Sequence, residues 1–411
     1  MPHERPRHVA EIFEKTINHS PLIGVLGHRQ VGKTTFLSQV GKQYFTLDDP
    51  AVLSRARLSA PEFVAENAKG GAVVIDECQL APELFPALKE WVRTHKRPGQ
   101  FYMSGSVRFT SRSAIRESLT GRIVNIEMLP FGVAELARLP LPSVVLDLAN
   151  THNFRRIEQF NLSARQNHER LKLIDQYLEA GGLPGVCFIR EPKARMRHIE
   201  EQLYTILDRD IRTVYSFKLP YRQILEFVGE LAKNEGAPVN FSLLKSKTGI
   251  SPITQKKLLY ALEAVFVIRA FRIQAERTQW TYLFEDQAEW RWLADQQRSN
   301  DDELLEKQWE GLIYRNLRLQ FDYQQGSQSR FFAYQTRSGV RLPLAIQTPN
   351  RILGIVPLMT DEISHRSLMG AQSFLKTFAN SSVLFIAKEA KQARILNDRM
   401  AVIPANVALF E

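Results

Sequence analysis

The chain has 411 residues, 44% hydrophobic and 24% charged, which is enough for two or three domains with ordinary cores. No apolar run approaches the roughly 20 residues that span a bilayer, and the N-terminus lacks the apolar core of a secretory signal, so we expect a cytoplasmic protein with no membrane partner. The net charge of +10 favours polyanionic partners without establishing nucleic-acid binding, and two cysteines (Cys78 and Cys187) exclude a disulfide framework.

Short apolar runs alternate with amphipathic helical segments over the first 140 or so residues. This alternation predicts an α/β fold with a parallel sheet. A helix over ELFPALKEWVRTHK would place Leu84, Leu88, Trp91 and Val92 on one face, where they can pack on the sheet. The five predicted strands are LIGVL (22–26), YFTL (44–47), AVVI (72–75), FYMS (101–104) and IVNIEML (123–129).

The stretch GHRQVGKTT follows the first predicted strand and opens a helix. Its glycines let backbone N–H groups curl around phosphates, its lysine can reach the outer phosphates, and its hydroxyl can bind Mg²⁺. The spacing therefore predicts a site for ATP or ADP with Mg²⁺, without distinguishing ATP from GTP. The predicted nucleotide-binding residues are Gly27, His28, Arg29, Gln30, Val31, Gly32, Lys33, Thr34 and Thr35.

VVIDE carries two acids out of the third strand, at the carboxyl edge where phosphates dock in such sheets. We expect Asp76 and Thr34 to hold the Mg²⁺, and Glu77 to orient or deprotonate the attacking water. In FYMSGS, Ser104 and Ser106 are candidates for sensing the γ-phosphate. The alternative for these serines is a simple serine–glycine turn.

Arg122, in SLTGR, precedes the fifth strand. An arginine at this position could reach the nucleotide of a neighbouring subunit in a homo-oligomer and stabilise the transition state. A surface salt bridge is the alternative.

The sequence predicts three further regions after a proline-bearing boundary near residue 145. Residues 146–220 look helical, and residues 221–275 show the helix, helix, turn, helix and strand order of a winged helix. Residues 276–411 look mixed α/β. The third helix of the winged-helix segment would present Thr254, Gln255, Lys256 and Lys257 to DNA, flanked by Lys245 and Lys247. The alternative is a solvated face used for packing or protein contacts.

Taken together, these motifs resemble the bacterial and archaeal AAA+-type P-loop ATPases that carry a C-terminal domain of unknown function related to PD-(D/E)XK nucleases. The resemblance rests on GHRQVGKTT, YFTLDDP, VVIDECQ, MSGS, SLTGR, GGLP and LDRDI. It implies a nucleotide-driven machine presumed to act on DNA, with Lys33, Thr34, Asp76 and Glu77 in the ATPase site and Arg122 as an arginine finger. Arg209 and Asp210 match a recurrent motif of unclear purpose.

The C-terminal part departs from the nuclease pattern, which needs two carboxylates for a divalent ion and a lysine for the water. Pro343 stands where the first carboxylate belongs, and Ile355, Val356 and Pro357 stand where Glu-x-Lys would be. Glu310 matches the acid of the preceding helix, but one carboxylate cannot assemble that site. We therefore expect a degenerate nuclease-like domain without nuclease activity.

Two functions stay open on the sequence. The first is an ATPase that passes a conformational change to C-terminal binding domains that act on DNA. The second is a nucleotide-gated switch or scaffold with negligible turnover that recruits DNA or a protein partner.

Overall fold

The computed structural model describes residues 5–109, 122–151, 153–160, 162–274, 279–295, 301–325, 328–349 and 351–411. All five predicted N-terminal strands are present and form one parallel sheet in the order β2-β3-β4-β1-β5. Their carboxyl ends therefore meet at one edge. The strands are β1 Leu22–Leu26, β2 Gln43–Thr46, β3 Val73–Asp76, β4 Phe101–Gly105 and β5 Ile123–Glu127.

Helices cover the faces of this sheet because their apolar stripes match its buried side chains. In the helix predicted around ELFPALKEWVRTHK, Leu84, Leu88 and Val92 are buried, while Trp91 is only partly covered. The helices of this part are α1 Val9–Ile17, α2 Lys33–Ser38, α3 Pro50–Leu58, α4 Ala60–Asn67, α5 Leu84–Thr94 and α6 Val133–Leu136.

The middle of the chain is helical, as predicted, and contains one π-helical turn, Ile206–Asp210. That turn lies between two α-helical segments, a place where an extra residue per turn often marks a functional site. The helices are α7 Val144–Thr151, α8 Ala164–Ala180, α9 Pro184–Cys187, α10 Pro192–Thr205, α11 Ile211–Val214, α12 Tyr221–Lys233, α13 Phe241–Thr248 and α14 Pro252–Ala264.

A second, mixed sheet of eight strands follows in the order β12-β13-β11-β10-β9-β8-β6-β7. Its strands are β6 Ile268–Gln274, β7 Gln279–Phe284, β8 Arg330–Gln335, β9 Arg341–Gln347, β10 Ile352–Leu358, β11 Ser381–Ala387, β12 Arg394–Asn397 and β13 Met400–Pro404. Its helices are α15 Gln287–Asp295, α16 Asp301–Gln325, α17 His365–Thr377 and α18 Ala405–Ala408. Within the described ranges, none of the helices is long and apolar enough to cross a membrane.

The hydrophobic cores cross the predicted domain boundaries. One continuous core joins Val31 of the glycine loop to Leu183, Phe227 and Trp290. Strands β6 and β7 lie on either side of the predicted boundary at residue 275 and pair with each other. Strand β6 also pairs with β8 of the C-terminal sheet. The division at 145, 220 and 275 stays a prediction, and so does the winged helix.

The C-terminal positions at which the nuclease pattern would need its catalytic residues border a cavity of about 330 Å³. Pro343 and Pro357 line it on neighbouring strands, and Glu310 is paired there with Arg341 at 2.9 Å. The described residues contain no group of three or more His, Cys, Asp or Glu side chains suited to a metal ion. Lack of nuclease activity stays a prediction.

Candidate functional site

The glycine loop between β1 and α2 depends on backbone that only glycine provides. A Cβ on Gly27 would lie 2.3 Å from the carbonyl oxygen of Met128, and Gly32 has a φ of 97°. The loop therefore turns tightly and delivers its N–H groups to the N-terminal end of α2. This is the cradle that the GHRQVGKTT spacing predicts for phosphates.

Lys33 begins α2 and folds back over the loop. Its Nζ donates to the carbonyl oxygens of Gly27, at 3.0 Å, and His28, at 2.9 Å. Burial lowers the pKa of Lys33, and the nearby carboxylates of Glu77 and Asp76 oppose that shift. The ammonium group thus lies within the loop itself, where phosphate charge would be neutralised.

Asp76 ends β3 opposite the loop and is a centre of hydroxyl contacts. Thr34 Oγ1 donates to Asp76 Oδ2 over 2.7 Å, Tyr44 donates to the same oxygen, and Ser104 donates to Oδ1. A threonine hydroxyl beside a carboxylate is an oxygen donor set that suits Mg²⁺. Thr34 and Asp76 therefore fit the ion that the sequence predicts.

Glu77 directly follows β3 and adopts a left-handed backbone with φ of 58°, which is uncommon for a residue other than glycine. Its N–H donates to Ser104 Oγ over 3.0 Å. Its carboxylate accepts from Gln79 Nε2, and Ser106 Oγ lies 3.4 Å away. Such backbone strain concentrates at functional sites.

The two serines lie at and just after the end of β4, beside the two acids. Ser104 is fully buried and bridges Asp76 to the backbone of Glu77, whereas Ser106 contacts the Glu77 carboxylate. Ser104 therefore positions both acids. A role in sensing the γ-phosphate stays a prediction.

Arg122 does not join the other site residues within one chain. It precedes Ile123, which pairs with Leu22 at the start of β1, so it lies at the opposite edge of the sheet from the loop. With about 3.3 Å per strand residue, that separation is roughly 15 Å. Arg122 is exposed and lines a cavity with Ser20 and Arg93.

The loop is also held by residues distant in sequence. Arg7 donates to the carbonyl oxygens of Val31, at 2.7 Å, and Leu129, at 2.6 Å. Arg29 makes a two-point ion pair with Asp210 of the π-helical turn, with Nε 2.9 Å from Oδ2. The LDRDI motif thus contacts the phosphate loop directly.

A buried contact between a histidine and a glutamate joins the loop to the C-terminal half. His28 Nε2 lies 3.1 Å from Glu289 Oε2 on α15, and His28 Nδ1 lies 2.7 Å from the carbonyl oxygen of Arg29. Burial is the largest single effect on the pKa of His28 and acts to lower it. The charge and hydrogen bond of Glu289, the carbonyl oxygen of Arg29 and the charge of Asp286 together outweigh burial, so the pKa is raised. Gln202 also donates to Glu289, at 2.9 Å.

One predicted nucleic-acid contact is wrong. Gln255 is fully buried, and its Nε2 donates to the carbonyl oxygens of Phe241 and Ile250, because it lies on the apolar face of α14. Thr254 is partly covered at the helix start, where its hydroxyl lies 3.0 Å from Ser251 Oγ. Lys256 and Lys257 are exposed.

Sequence reasoning missed the residues that reach the site from other elements. Tyr44 could have been found, because YFTL ends beside VVID at the same sheet edge. Arg7, Asp210 and Glu289 carry no local signal of a contact with residues 28 to 31. Only the fold brings these three to the loop.

Comparison with known proteins finds family models that match two parts of the chain. The family model of the AAA domain matches residues 19–137, and that of a domain of unknown function (DUF8612) matches residues 171–279. The uncharacterized proteins Rv2008c of Mycobacterium tuberculosis and Mb2031c of Mycobacterium bovis are each 32% identical over 124 residues. That match spans 30% of this chain and 28% of the length of each relative.

Two solved structures align at low similarity. AMPPCP-bound DnaA from Aquifex aeolicus has 14% identity and a TM-score of 0.25, covering 63% of this chain and 76% of DnaA. A DNA polymerase III gamma subunit-related protein from Thermotoga maritima has 11% identity and a TM-score of 0.23, covering 62% of this chain and 99% of that one. Superpositions this weak add nothing to the family match.

Proposed function

Because residues 19–137 form an AAA domain of the P-loop ATPase class, we propose that this chain binds Mg²⁺-ATP and hydrolyses it. The observation that carries the proposal is the convergence of four side chains at one edge of the parallel sheet. Lys33 and Thr34 come from the glycine loop and α2, while Asp76 and Glu77 come from the end of β3.

Each residue has a distinct task in this proposal. Lys33 neutralises charge on the outer phosphates, and the loop N–H groups hold them. Thr34 and Asp76 hold Mg²⁺, which supplies charge stabilisation at the transferring phosphoryl group. Glu77 orients the attacking water or takes its proton, and Ser104 keeps both acids in place.

The loop after β4 supports coupling of this site to the C-terminal region. Arg108 lies four residues beyond Ser104, and its N–H donates to the carbonyl oxygen of Ala264 over 2.8 Å. Its guanidinium donates to the carbonyl oxygen of Glu263 and lies 4.4 Å from the centroid of the Phe266 ring. A shift after β4 would therefore move the end of α14.

A charged network supports the same coupling at the end of β5. Glu127 contacts Arg108 at 3.2 Å, Arg318 at 2.6 Å and Arg269, and the last two also contact Glu285. Burial acts to raise the pKa of Glu127, but the three arginines hold it well below the usual range. We infer that the sheet and the C-terminal part move as coupled bodies. The net charge of +10 supports a nucleic acid as the partner acted upon.

One observation favours the nucleotide-gated switch as a second candidate. Gln79 Nε2 donates to Glu77 Oε2 and Ser106 Oγ lies 3.4 Å from the same oxygen, so these contacts leave Oε1 of that carboxylate to accept from a water. If the contacts hold Oε1 away from the water when nucleotide is bound, the chain would hold ATP or ADP without appreciable turnover.

Steady-state phosphate release from Mg²⁺-ATP tests the proposal. We expect turnover by the wild type, its loss in Glu77→Gln with ATP binding retained, and loss of binding in Lys33→Ala. Glu83→Gln, an exposed acid of the same region, serves as the matched control and should behave as wild type. ATP binding without turnover would support the switch, and unchanged affinity in Lys33→Ala would contradict both functions.

A further inference from the structure

One stretch of the segment predicted as a winged helix is rich in lysine and contains no acidic residue. Residues 237–262 contain four lysines and no aspartate or glutamate. Lys245 and Lys247 are exposed on α13, and Lys256 and Lys257 are exposed on α14. Exposed lysines clustered on adjacent helices attract a polyanion.

An aromatic groove lies on one side of Lys256. It has a volume of about 460 Å³ and is lined by Phe241, Trp280 and Tyr282. Trp280 is 51% exposed although it lies on β7, and Lys256 Nζ is 5.6 Å from the centroid of the Phe241 ring. A large aromatic ring left half in water beside a cation is a platform for a planar ligand.

A second aromatic pair lies beside the next lysine. Lys257 Nζ is 6.0 Å from the ring centroid of Tyr215, and Tyr215 meets Tyr260 edge to face at 5.8 Å. Tyr215 and Tyr260 are 40% and 44% exposed. Successive residues of a helix point about 100° apart. Lys256 and Lys257 therefore lie beside the two aromatic groups on different flanks of α14.

We propose that this surface binds single-stranded nucleic acid, with lysines on the phosphates and an unpaired base stacked on Trp280. The half-exposed aromatic faces favour unpaired bases, since the bases of a duplex are already stacked on one another. Gln255, whose amide could have read a base edge in a major groove, is buried. The inference rests on the proposed function for its role, because it names the partner that ATP turnover would act upon.

Fluorescence anisotropy of a labelled oligothymidylate, at several salt concentrations and without nucleotide, tests the surface. We expect Trp280→Ala to weaken binding roughly 5- to 100-fold, the range for loss of one stacked base. The double variant Lys256→Gln/Lys257→Gln should reduce the slope of log affinity against log salt by about 1.4, or 0.7 per lost phosphate contact. The double variant Lys193→Gln/Lys391→Gln removes two exposed lysines elsewhere and should match wild type.

Further measurements distinguish single-stranded nucleic acid from a duplex and from a protein partner. Tighter binding of the single strand than of a duplex of the same sequence supports base stacking. A Trp280→Ala variant that binds as wild type, a preference for duplex, or no nucleic-acid binding at low salt would overturn the proposal, the last in favour of a protein partner. Basal phosphate release by the Trp280 and lysine variants should equal that of the wild type. Failure of the nucleic-acid proposal can therefore be distinguished from failure of the proposed ATPase activity.

Discussion

Asp210 accepts ion pairs from two arginines at once, Arg29 of the phosphate loop at 2.9 Å and Arg209 of its own turn at 3.1 Å. The single negative charge of Asp210 therefore faces two positive charges beside the glycine loop. The three side chains together carry a net charge of +1. Arg209 is 65% exposed on its side chain, whereas that of Asp210 is only 10% exposed. The π-helical turn thus places one negative and one positive charge beside the proposed phosphate site.

Asp210→Asn should tighten nucleotide binding, because it removes a negative charge from beside the phosphates. We expect an effect of about 1 kcal/mol, or roughly five-fold in the Kd of ADP measured with a fluorescent analogue. Asp208→Asn is the matched control, since Asp208 lies on the same turn but pairs with Arg212. Weaker binding by Asp210→Asn would show that the carboxylate acts mainly by positioning Arg29.

Tyr44→Phe should raise the Mg²⁺ concentration needed for nucleotide binding, since Tyr44 donates to the carboxylate proposed to hold the ion. Loss of an outer hydrogen bond to a metal ligand typically costs about ten-fold or more in metal affinity. The measurement is a Mg²⁺ titration of bound fluorescent ADP, with affinity in EDTA unchanged. Tyr102→Phe removes a hydroxyl from strand β4 of the same sheet as a control. An unaltered Mg²⁺ requirement in Tyr44→Phe would count against the contact.

The His28–Glu289 pair predicts a pH-dependent stability. A histidine whose pKa is raised on folding contributes stability below its unfolded pKa, and that contribution disappears as pH rises through the raised value. Glu289→Gln should therefore lower the free energy of unfolding by about 3 kcal/mol at pH 6, with a smaller difference at alkaline pH. Denaturant melts across this range check it.

The exposed pair of Arg165 and Glu169 supplies the control for that experiment. Glu169→Gln removes a carboxylate whose side chain is 58% exposed, so its effect should stay within about 0.5 kcal/mol at every pH. A Glu289→Gln penalty that is the same at all pH values would exclude a charged His28.

Arg122→Ala should abolish turnover and leave ATP binding intact if the arginine serves a neighbouring subunit. Its place at the edge opposite the loop leaves only this route to a nucleotide. Wild-type specific activity should then rise with protein concentration. Arg93→Ala, in the same cavity, is the control, and a rate independent of concentration would refute the role in trans.

Much of the fold could be predicted from local patterns, because apolar strands and helical periodicity can be recognised in short stretches of sequence. The phosphate loop and the two acids after β3 were predictable for the same reason. Gln255 was mispredicted although the pattern was available: it shares a helical stripe with Leu258, Leu259 and Leu262, all buried. The contacts of Arg7, Asp210 and Glu289 depend on tertiary packing, which no local window contains.

The burial of His28 against Glu289 has a consequence for any fragment of this protein. A piece that ends at residue 137, where the family match ends, would lack α15 and expose a histidine now only 1% exposed. It would also uncover the apolar core that Val31 shares with Trp290. We therefore expect a stable fragment to need more than the matched residues, including a helix more than 140 residues beyond them.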